Sequence, residues 1–536
     1  MSKKIDIPNT WLDKAITSAF PGWGAKRREA RLKIALSGSY VGASRNRRAF
    51  QSWNVSSGDA DSDLSWDLKT LRERSRDMMR NAPLGCGAVN TVVTNVVGSG
   101  LKLQSRIDRS LLGLSDKVAD AWEDAIEREW KLWSESQECD AARTLNFAAI
   151  QELAFRQTLE NGDVFALLPR FARQGSPYYL KLQLVEGDRV CNKDNLPDTA
   201  TLSGGVQKDG FGAPVEYHIM DQHPGNVWRY KHTWTTVRAF SSAGDRNVLH
   251  LYRMLRPGQS RGVPYLAPVI ESLKQLDRYT ENELMAAVVS ALFTVFIKSE
   301  SGDSGFPAVN GEGYGYETET TSSGSTEKMT LGNGMMVELP KDTDITTANP
   351  GRPNAAFDPF VKAILEQIGV ALELPFEVLI HHFTASYSAS RAALQEAWRF
   401  FRGRRTWLVA NFCQPVYSAW LSEAVAMGRI PAPGFFSDYR IRKAYCTAVW
   451  VGEAPSQLDP EKEANAAVIL IENGLSTVDE MTVAITGGDL EDNLPRIAKE
   501  RKALAKVGLW QPVSAANKPA AAPEPAEPKK KEEPEE

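Results

Sequence analysis

YSASRAALQEAWRFFRGRRTWLVANFCQPVYSAWLSEAVA, residues 387–426, is one long helix by its spacing. Leu394, Trp398, Phe401, Leu408, Phe412, Val416, Trp420 and Ala424 recur mostly three or four apart, which gathers them into a single stripe. Gly403 and Pro415 mark expected bends, one lacking a side chain and the other an amide proton. Arg399, Arg402, Arg404 and Arg405 fall within two turns of this helix. Two readings fit them: contact with an anionic partner, or a solvated face whose glutamate partners come from elsewhere in the chain.

Outward from this spine, 536 residues exceed what one hydrophobic core serves, so two to four structural units are expected. Sixty-three Lys and Arg stand against 67 Asp and Glu, a net charge of −4, which argues against a general nucleic-acid coat but not against a local basic surface. Such a surface begins the chain, where the first 50 residues hold eleven basic residues against Asp6, Asp13 and Glu29. Cys86, Cys139, Cys191, Cys413 and Cys446 lie far apart with no CxxC pair, so neither a zinc site nor a disulfide framework is expected, and a reducing compartment fits. The amino terminus has no apolar signal-peptide core. The apolar run Met285–Ile297 is too short to span a bilayer and reads as a buried or subunit-facing helix.

Residues 1–66 read as a basic, partly disordered arm. From Asp67 to Val97 the pattern is helical, broken near Pro83–Gly87 and stopped by Gly98 and Gly100. Further helices are expected over 115–135 and 147–160. Asn161-Gly162-Asp163 then turns into strands at 164–168, 178–185, 215–220 and 248–252. A second long helix is expected over 272–298, followed by a Gly/Ser/Thr-rich insertion to Lys328 and a strand over 329–339. Asp358-Pro359 starts a helix that ends before Pro375, and LPFEVLIHHFTASYSAS, 374–390, separates it from the spine. Asp459-Pro460 starts another helix, Gly474 ends it, and Thr477 with Glu480 forms a capping box for the next. A last helix is expected over 494–507, and the Pro/Ala/Lys/Glu tail 511–536 is expected to be disordered. The fold class is α+β and mainly helical.

Two motifs for common chemistries are missing: the chain has no GxxxxGK[ST] and no HExxH. His381-His382, with Glu377 the only nearby acid, does not complete a conventional metal-ligand set, and no cofactor is expected. Gly98-Ser99-Gly100 opens no helix that would hold a phosphate, so helix termination is the better reading. Cys86 and Cys413 have no neighbouring histidine to activate them.

Three segments carry a resemblance: LYRMLRPGQSRGVPYLAPVIESLKQLDRYT (251–280), with its GQSRG before a long helix; YSASRAALQEAWRFFRGRRT (387–406); and WVGEAPSQLDPEKEANAAVILIENGLST (450–477). RSRDMMRNAPLGCGAVNTVVTNVVGSG (74–100) supports them. Over roughly 67–506 the chain resembles the lambda-type portal proteins of tailed bacteriophages, the head-tail connectors. That resemblance implies a non-enzymatic dodecameric ring at one capsid vertex, through which DNA is packaged and ejected. It also implies partners: other copies of the chain, the terminase large subunit, the major capsid and scaffold proteins, head-completion or adaptor proteins, and double-stranded DNA passing non-specifically, with no membrane. The chain is expected in the virion, after assembly in the host cytoplasm.

On the resemblance, 67–264 is the wing, 265–298 the first stem helix, 299–350 the clip, 351–373 the second stem helix, 374–390 the tunnel loop, 391–430 the spine joining wing to crown, and 431–510 the crown. His381, His382, Thr384, Ser386, Tyr387, Ser388 and Ser390 would line the DNA channel, where small polar groups let a polyanion slide. Arg399, Arg402, Arg404 and Arg405 would contact DNA or a neighbouring subunit, and Tyr314, Tyr316, Glu317 and Glu319 would dock the terminase. The rival readings are another ring-binding connector of the same particle and a nucleic-acid hydrolase using His381 and His382.

Overall fold

The computed structural model describes the chain from residue 11 to 506, except 12–15, 19, 37–47, 51, 54, 227, 229–231, 292–294, 300–342, 348–356, 384–385, 456–459, 487 and 489. It divides into two units, Met1–Asp63 and Leu64–Glu536. The first contains helix α1 (Pro21–Leu36). The tail 511–536 and the expected strand 329–339 lie outside the described residues.

The second unit opens with α2 (Leu68–Asn81) and α3 (Pro83–Val96). They part at Ala82, which is extended (ψ 110°) because the ring of Pro83 excludes a helical residue before it. Strand β1 (Lys102–Ser105) follows, then α4 (Asp116–Ser134) and α5 (Phe147–Asn161), the latter capped by Asn146 Oδ1 accepting from the Ala149 amide at 3.0 Å. Next come β2 (Asp163–Leu167), β3 (Gln183–Glu186), β4 (Leu202–Ser203), β5 (Val206–Lys208), β6 (Pro214–Met220), β7 (Trp234–Arg238) and β8 (Val248–Tyr252). They form two antiparallel sheets, ordered β3-β2-β8 and β4-β5-β6-β7. Phe165, Val185, Tyr217, Ile219 and Val248 are buried together as one core of this region.

Helix α6 (Ile270–Ala291) is shorter than the helix expected over 272–298: Val295–Ser299 is strand β9, paired antiparallel with β10 (Thr343–Thr347). Val295, Phe296 and Ile297 favour a pleated ladder once a partner rich in threonine lies alongside, a pairing made across more than 40 residues of chain. Helix α7 (Phe357–Ala371) and the short α8 (Phe376–Leu379) lead to α9 (Tyr387–Leu408). The spine stays helical through Gly403, against expectation. Its irregularity is a π-turn at Val409–Cys413, immediately before α10 (Gln414–Ala426), where the Gln414 amide reaches back five residues to the Val409 carbonyl. Pro415, without an amide hydrogen, breaks the regular ladder at that point. Helix α11 (Tyr439–Tyr445), strand β11 (Ala448–Val451) and helices α12 (Pro460–Glu472), α13 (Val478–Thr486) and α14 (Leu490–Lys506) complete the unit.

The apolar stripe of the spine packs as its spacing requires: Phe401, Leu408, Phe412, Val416, Trp420 and Ala424 are all buried. Trp420 meets Trp130 of α4, whose centroid lies 5.1 Å from Trp420, 5.6 Å from Tyr417, 5.2 Å from Phe147 and 6.0 Å from Trp450, all edge-on. Each such pair adds about 0.5–1.5 kcal/mol beyond its buried area. β11 pairs antiparallel with β1, Leu103 opposite Trp450, so the strand after the spine closes onto the start of the unit.

The sheets are tied to the helices by one buried carboxylate. Asp163 is fully buried; its Oδ1 accepts from Arg72 at 2.6 Å and from Arg261 at 3.2 Å, and its Oδ2 from Arg261 Nε at 2.6 Å and the Gly262 amide at 3.2 Å. Arg261 also donates to the carbonyls of Val190, Gly204 and Gly187. The GQSRG segment is shaped for this contact. Gln259 Oε1 accepts from the Leu255 amide at 2.8 Å, Gly258 has φ +83°, and a Cβ on Gly262 would strike the Gly162 carbonyl. Desolvation alone would raise the Asp163 carboxyl, but Arg261 and Arg72 outweigh it and hold the group well below the usual carboxylate range. His250, stacked 4.0 Å from Phe165, has its pKa lowered by burial.

Two outcomes follow from this cluster. Arg261→Met leaves Asp163 charged and half-paired, and should cost about 3–5 kcal/mol in urea unfolding, with Arg261→Lys recovering little because an ammonium cannot reproduce the forked contact. Above about pH 6.5 His250 is neutral folded and unfolded alike. Below it the unfolded chain binds a proton that the folded chain resists, so stability should fall with pH, and His250→Gln should flatten that fall in melting curves taken from pH 7 to 5.

Candidate functional site

Part of the segment expected as a loop over 374–390 is helical: 376–379 and 387–390 lie in α8 and α9. Leu374, Val378 and Leu379 are buried in the main core, and α8 occupies 376–379. Ser386 Oγ accepts from the Ala389 amide at 3.4 Å and caps α9, so Tyr387, Ser388 and Ser390 form the first turn of the spine. Ser390 is buried, whereas Ser386, Tyr387 and Ser388 are exposed. The start at Tyr387 is the one the spacing predicts; the loop assigned on the resemblance runs four residues into the helix, since small polar residues suit both a loop and a capped helix start. Only 380–383 and 386 are non-helical among the described residues of the stretch beyond α8. Thr384 lies outside the described residues, as do Tyr314, Tyr316, Glu317 and Glu319.

The two histidines sit at this exposed end. His381 takes φ +53° and its Nε2 lies 3.1 Å from Thr91 Oγ1 of α3, while the His382 amide donates to the Glu377 carbonyl at 3.0 Å. Among the described residues no group of three or more His, Cys, Asp and Glu side chains is placed to hold a metal ion. Cys413 is fully buried and its thiol is pushed up by desolvation, away from the range of a nucleophile.

The structure separates the four spine arginines. Arg405 turns inward: its Nε donates to the Val96 carbonyl at 3.0 Å and its Nη2 to the carbonyls of Asn95 and Glu453, each at 3.0 Å. Asn95 and Val96 end α3, so the guanidinium satisfies carbonyls that the helix leaves open, at the negative end of its dipole. Gly452 lets it cross, since a Cβ there would lie 2.7 Å from the Arg405 guanidinium carbon. Next in the chain, the Glu453 carboxylate accepts from the Ser99 amide at 3.0 Å, so the Gly98-Ser99-Gly100 turn holds the chain's own anion.

Arg404 lies over the Phe400 ring at 4.8 Å and 3.5 Å from Glu373. Desolvation lowers its pKa and Arg253 adds to that, with Glu373 opposing. Arg399 is exposed and pairs with Glu396 at 3.2 Å, and Arg402 is exposed. Arg399 and Arg404, with Arg253, Glu366, Glu373 and Phe400, line an open cleft of about 740 Å³ between α7 and α9. Arg106, beyond β1, joins Asp479 of α13 at 3.0 Å and Glu491 of α14 at 2.9 Å.

The geometry is thus an exposed polar corner at the amino end of a bent helix, with that helix locked by Arg405 to both early and late parts of the chain. Residues 46–405 match the family described as phage portal protein, lambda family. The chain belongs to that family. It is 26% identical to Portal protein B of Escherichia phage lambda over 481 residues, covering 87% of this chain and 90% of that protein. It is likewise 26% identical to the portal protein of Escherichia phage N15 over 479 residues, with the same coverage. Identity to a probable portal protein of Halomonas phage phiHAP-1 is 22%, covering 87% of each chain. Among solved structures it is similar to the neck of an empty GTA particle, with TM-score 0.40 and 16% identity over 71% of this chain and 93% of that chain. A portal function and a place in the virion follow for this portal protein, with a mainly helical α+β fold. Among the described residues no helix is long and apolar enough to cross a membrane.

Arg405→Ala should lower the melting temperature, losing charge-assisted bonds together worth about 2–3 kcal/mol. Arg402→Ala, altering an exposed side chain, should leave it unchanged. Differential scanning fluorimetry of the two variants checks the contrast.

Proposed function

We propose that this portal protein assembles as a dodecameric ring at one capsid vertex and acts as a passive conduit for double-stranded DNA during packaging and ejection. The observation that carries the ring is an uncovered apolar surface on two neighbouring helices. α6 and α7 pack through Tyr279, which stacks on Phe357 at 5.6 Å and meets Phe360 edge-on at 5.3 Å. Yet Leu284, Met285 and Val288 of α6, and Phe360 and Val370 of α7, stay exposed. A face of that size on paired helices suits burial against a copy of itself.

In this reading 67–264 forms the wing, 265–298 and 351–373 the stem, 299–350 the clip, 374–390 the tunnel segment, 391–430 the spine and 431–510 the crown. DNA would pass the exposed corner at His381, His382, Ser386, Tyr387 and Ser388, whose hydroxyl and imidazole groups make weak contacts with phosphate. Arg399 and Arg402 are the spine arginines facing outward, available to DNA or to a neighbouring subunit. The terminase large subunit, head-completion or adaptor proteins, and the major capsid and scaffold proteins are the partners, met during assembly in the host cytoplasm. The chain itself performs no hydrolysis, and the terminase supplies the ATP-driven work.

Negative-stain images of the purified chain should show rings with a central hole; a uniformly monomeric sample in assembly conditions would overturn the proposal. Ser386→Arg with Ser388→Arg should leave rings intact and reduce nuclease-protected DNA in a packaging reaction, because fixed cations grip each passing phosphate. Unchanged packaging would remove these residues from the channel.

A further inference from the structure

The three helices α12, α13 and α14 are poorly buried by their own chain. Ala467 is the sole buried residue recorded for α12, and α13 has none. Meanwhile Val468, Ile469 and Leu470 of α12 are 51%, 58% and 36% exposed, and Leu475, Val478, Leu494, Ile497 and Leu504 are exposed as well. Val468 to Ile471 are four apolar residues in succession, which in a helix point to more than one side. A helix apolar on several sides is stable only when enclosed, and one amphipathic contact does not enclose it.

Charge says what encloses it. α12 carries Glu461, Glu463 and Glu472 against Lys462, and α13 carries Asp479 and Glu480 with no basic residue. α14 carries Arg496, Lys499, Arg501, Lys502 and Lys506 against Glu491, Asp492 and Glu500, with four of its five cations in the carboxy-terminal half. α12 and α13 are therefore each net acidic and α14 net basic, and all three bear exposed apolar residues. A cyclic ring joins unlike faces head to tail, so each copy must offer two different but complementary surfaces.

We infer that these helices form a second copy's docking surface: the acidic α12–α13 side of one subunit receives the basic α14 of the next, with Val468, Ile469 and Leu494 in the seam. This rests on the ring reading and adds which faces meet. It also makes order in 460–506 a product of ring closure, since a lone chain cannot bury these residues. Arg106, which holds Asp479 and Glu491 from the body of its own subunit, fixes where the module is presented.

Hydrogen exchange of the full chain, as separated monomers and as rings, tests this. Amides in 460–506 should exchange at least about tenfold more slowly in rings than in monomers. Lys499→Glu with Lys502→Glu should abolish that difference in the rings. Adding Glu461→Lys and Glu472→Lys to the same chain should restore it. Rings in which 460–506 exchanges as fast as in monomers, monomers already fully protected, or a fourfold variant no better than the twofold one would each overturn the inference while leaving the ring reading intact. Failure of the unaltered chain to form rings would overturn both.

Discussion

A carboxylate with no water around it has to be paired from inside the protein, and Asp163 is such a carboxylate. Its partners come from three distant places: Arg72 on α2, Arg261 and the Gly262 amide in the GQSRG segment, and His250 on β8. Meeting that demand positions the first helix of the large unit, the sheet β3-β2-β8 and the start of the path into α6. Arg261 extends the same constraint to the second sheet through the carbonyls of Val190 and Gly204. The signature that carries the family resemblance is thus, at this point, a folding device that ties helices to sheets.

The second constraint is the enclosure of the spine. Trp130 gathers Tyr417 and Trp420 from the spine, Phe147 from α5 and Trp450 from β11, while Arg405 ties the spine to the end of α3 and to Glu453. The contacts Trp130–Trp420 and Arg405–Val96 join residues some 300 positions apart and hold the spine behind its exposed corner at Ser386–Ser388. Apolar side chains stay exposed on α6, α7 and the last three helices.

Much of this was legible in local patterns. Caps placed helix ends well, Gly474 with φ +68° after α12 and the reciprocal bonds of Thr477 and Glu480, whereas the break expected over Pro83–Gly87 is confined to Ala82 and 83–87 are helical. The spine's stripe named its buried face correctly. Errors fell where two local outcomes were close in energy. Val295–Ile297 continued a helical pattern yet pairs as a strand, and the loop assigned on the resemblance to 374–390 overran the helix start that the spacing had put at Tyr387. The four arginines looked alike because their difference lies in what faces them.

By itself the sequence determined the helical periodicity, the caps, the family and the general α+β class, since these depend on residues within a few turns of each other. Only the tertiary structure decided that Arg405 is an internal strut, that Gly98-Ser99 is filled by Glu453, that β1 pairs with β11 and that Asp163 is the hub of the sheets. Those facts rest on contacts between segments separated by about 90 to 350 residues. No local pattern encodes such contacts, because burial and charge pairing are properties of the space the folded chain encloses.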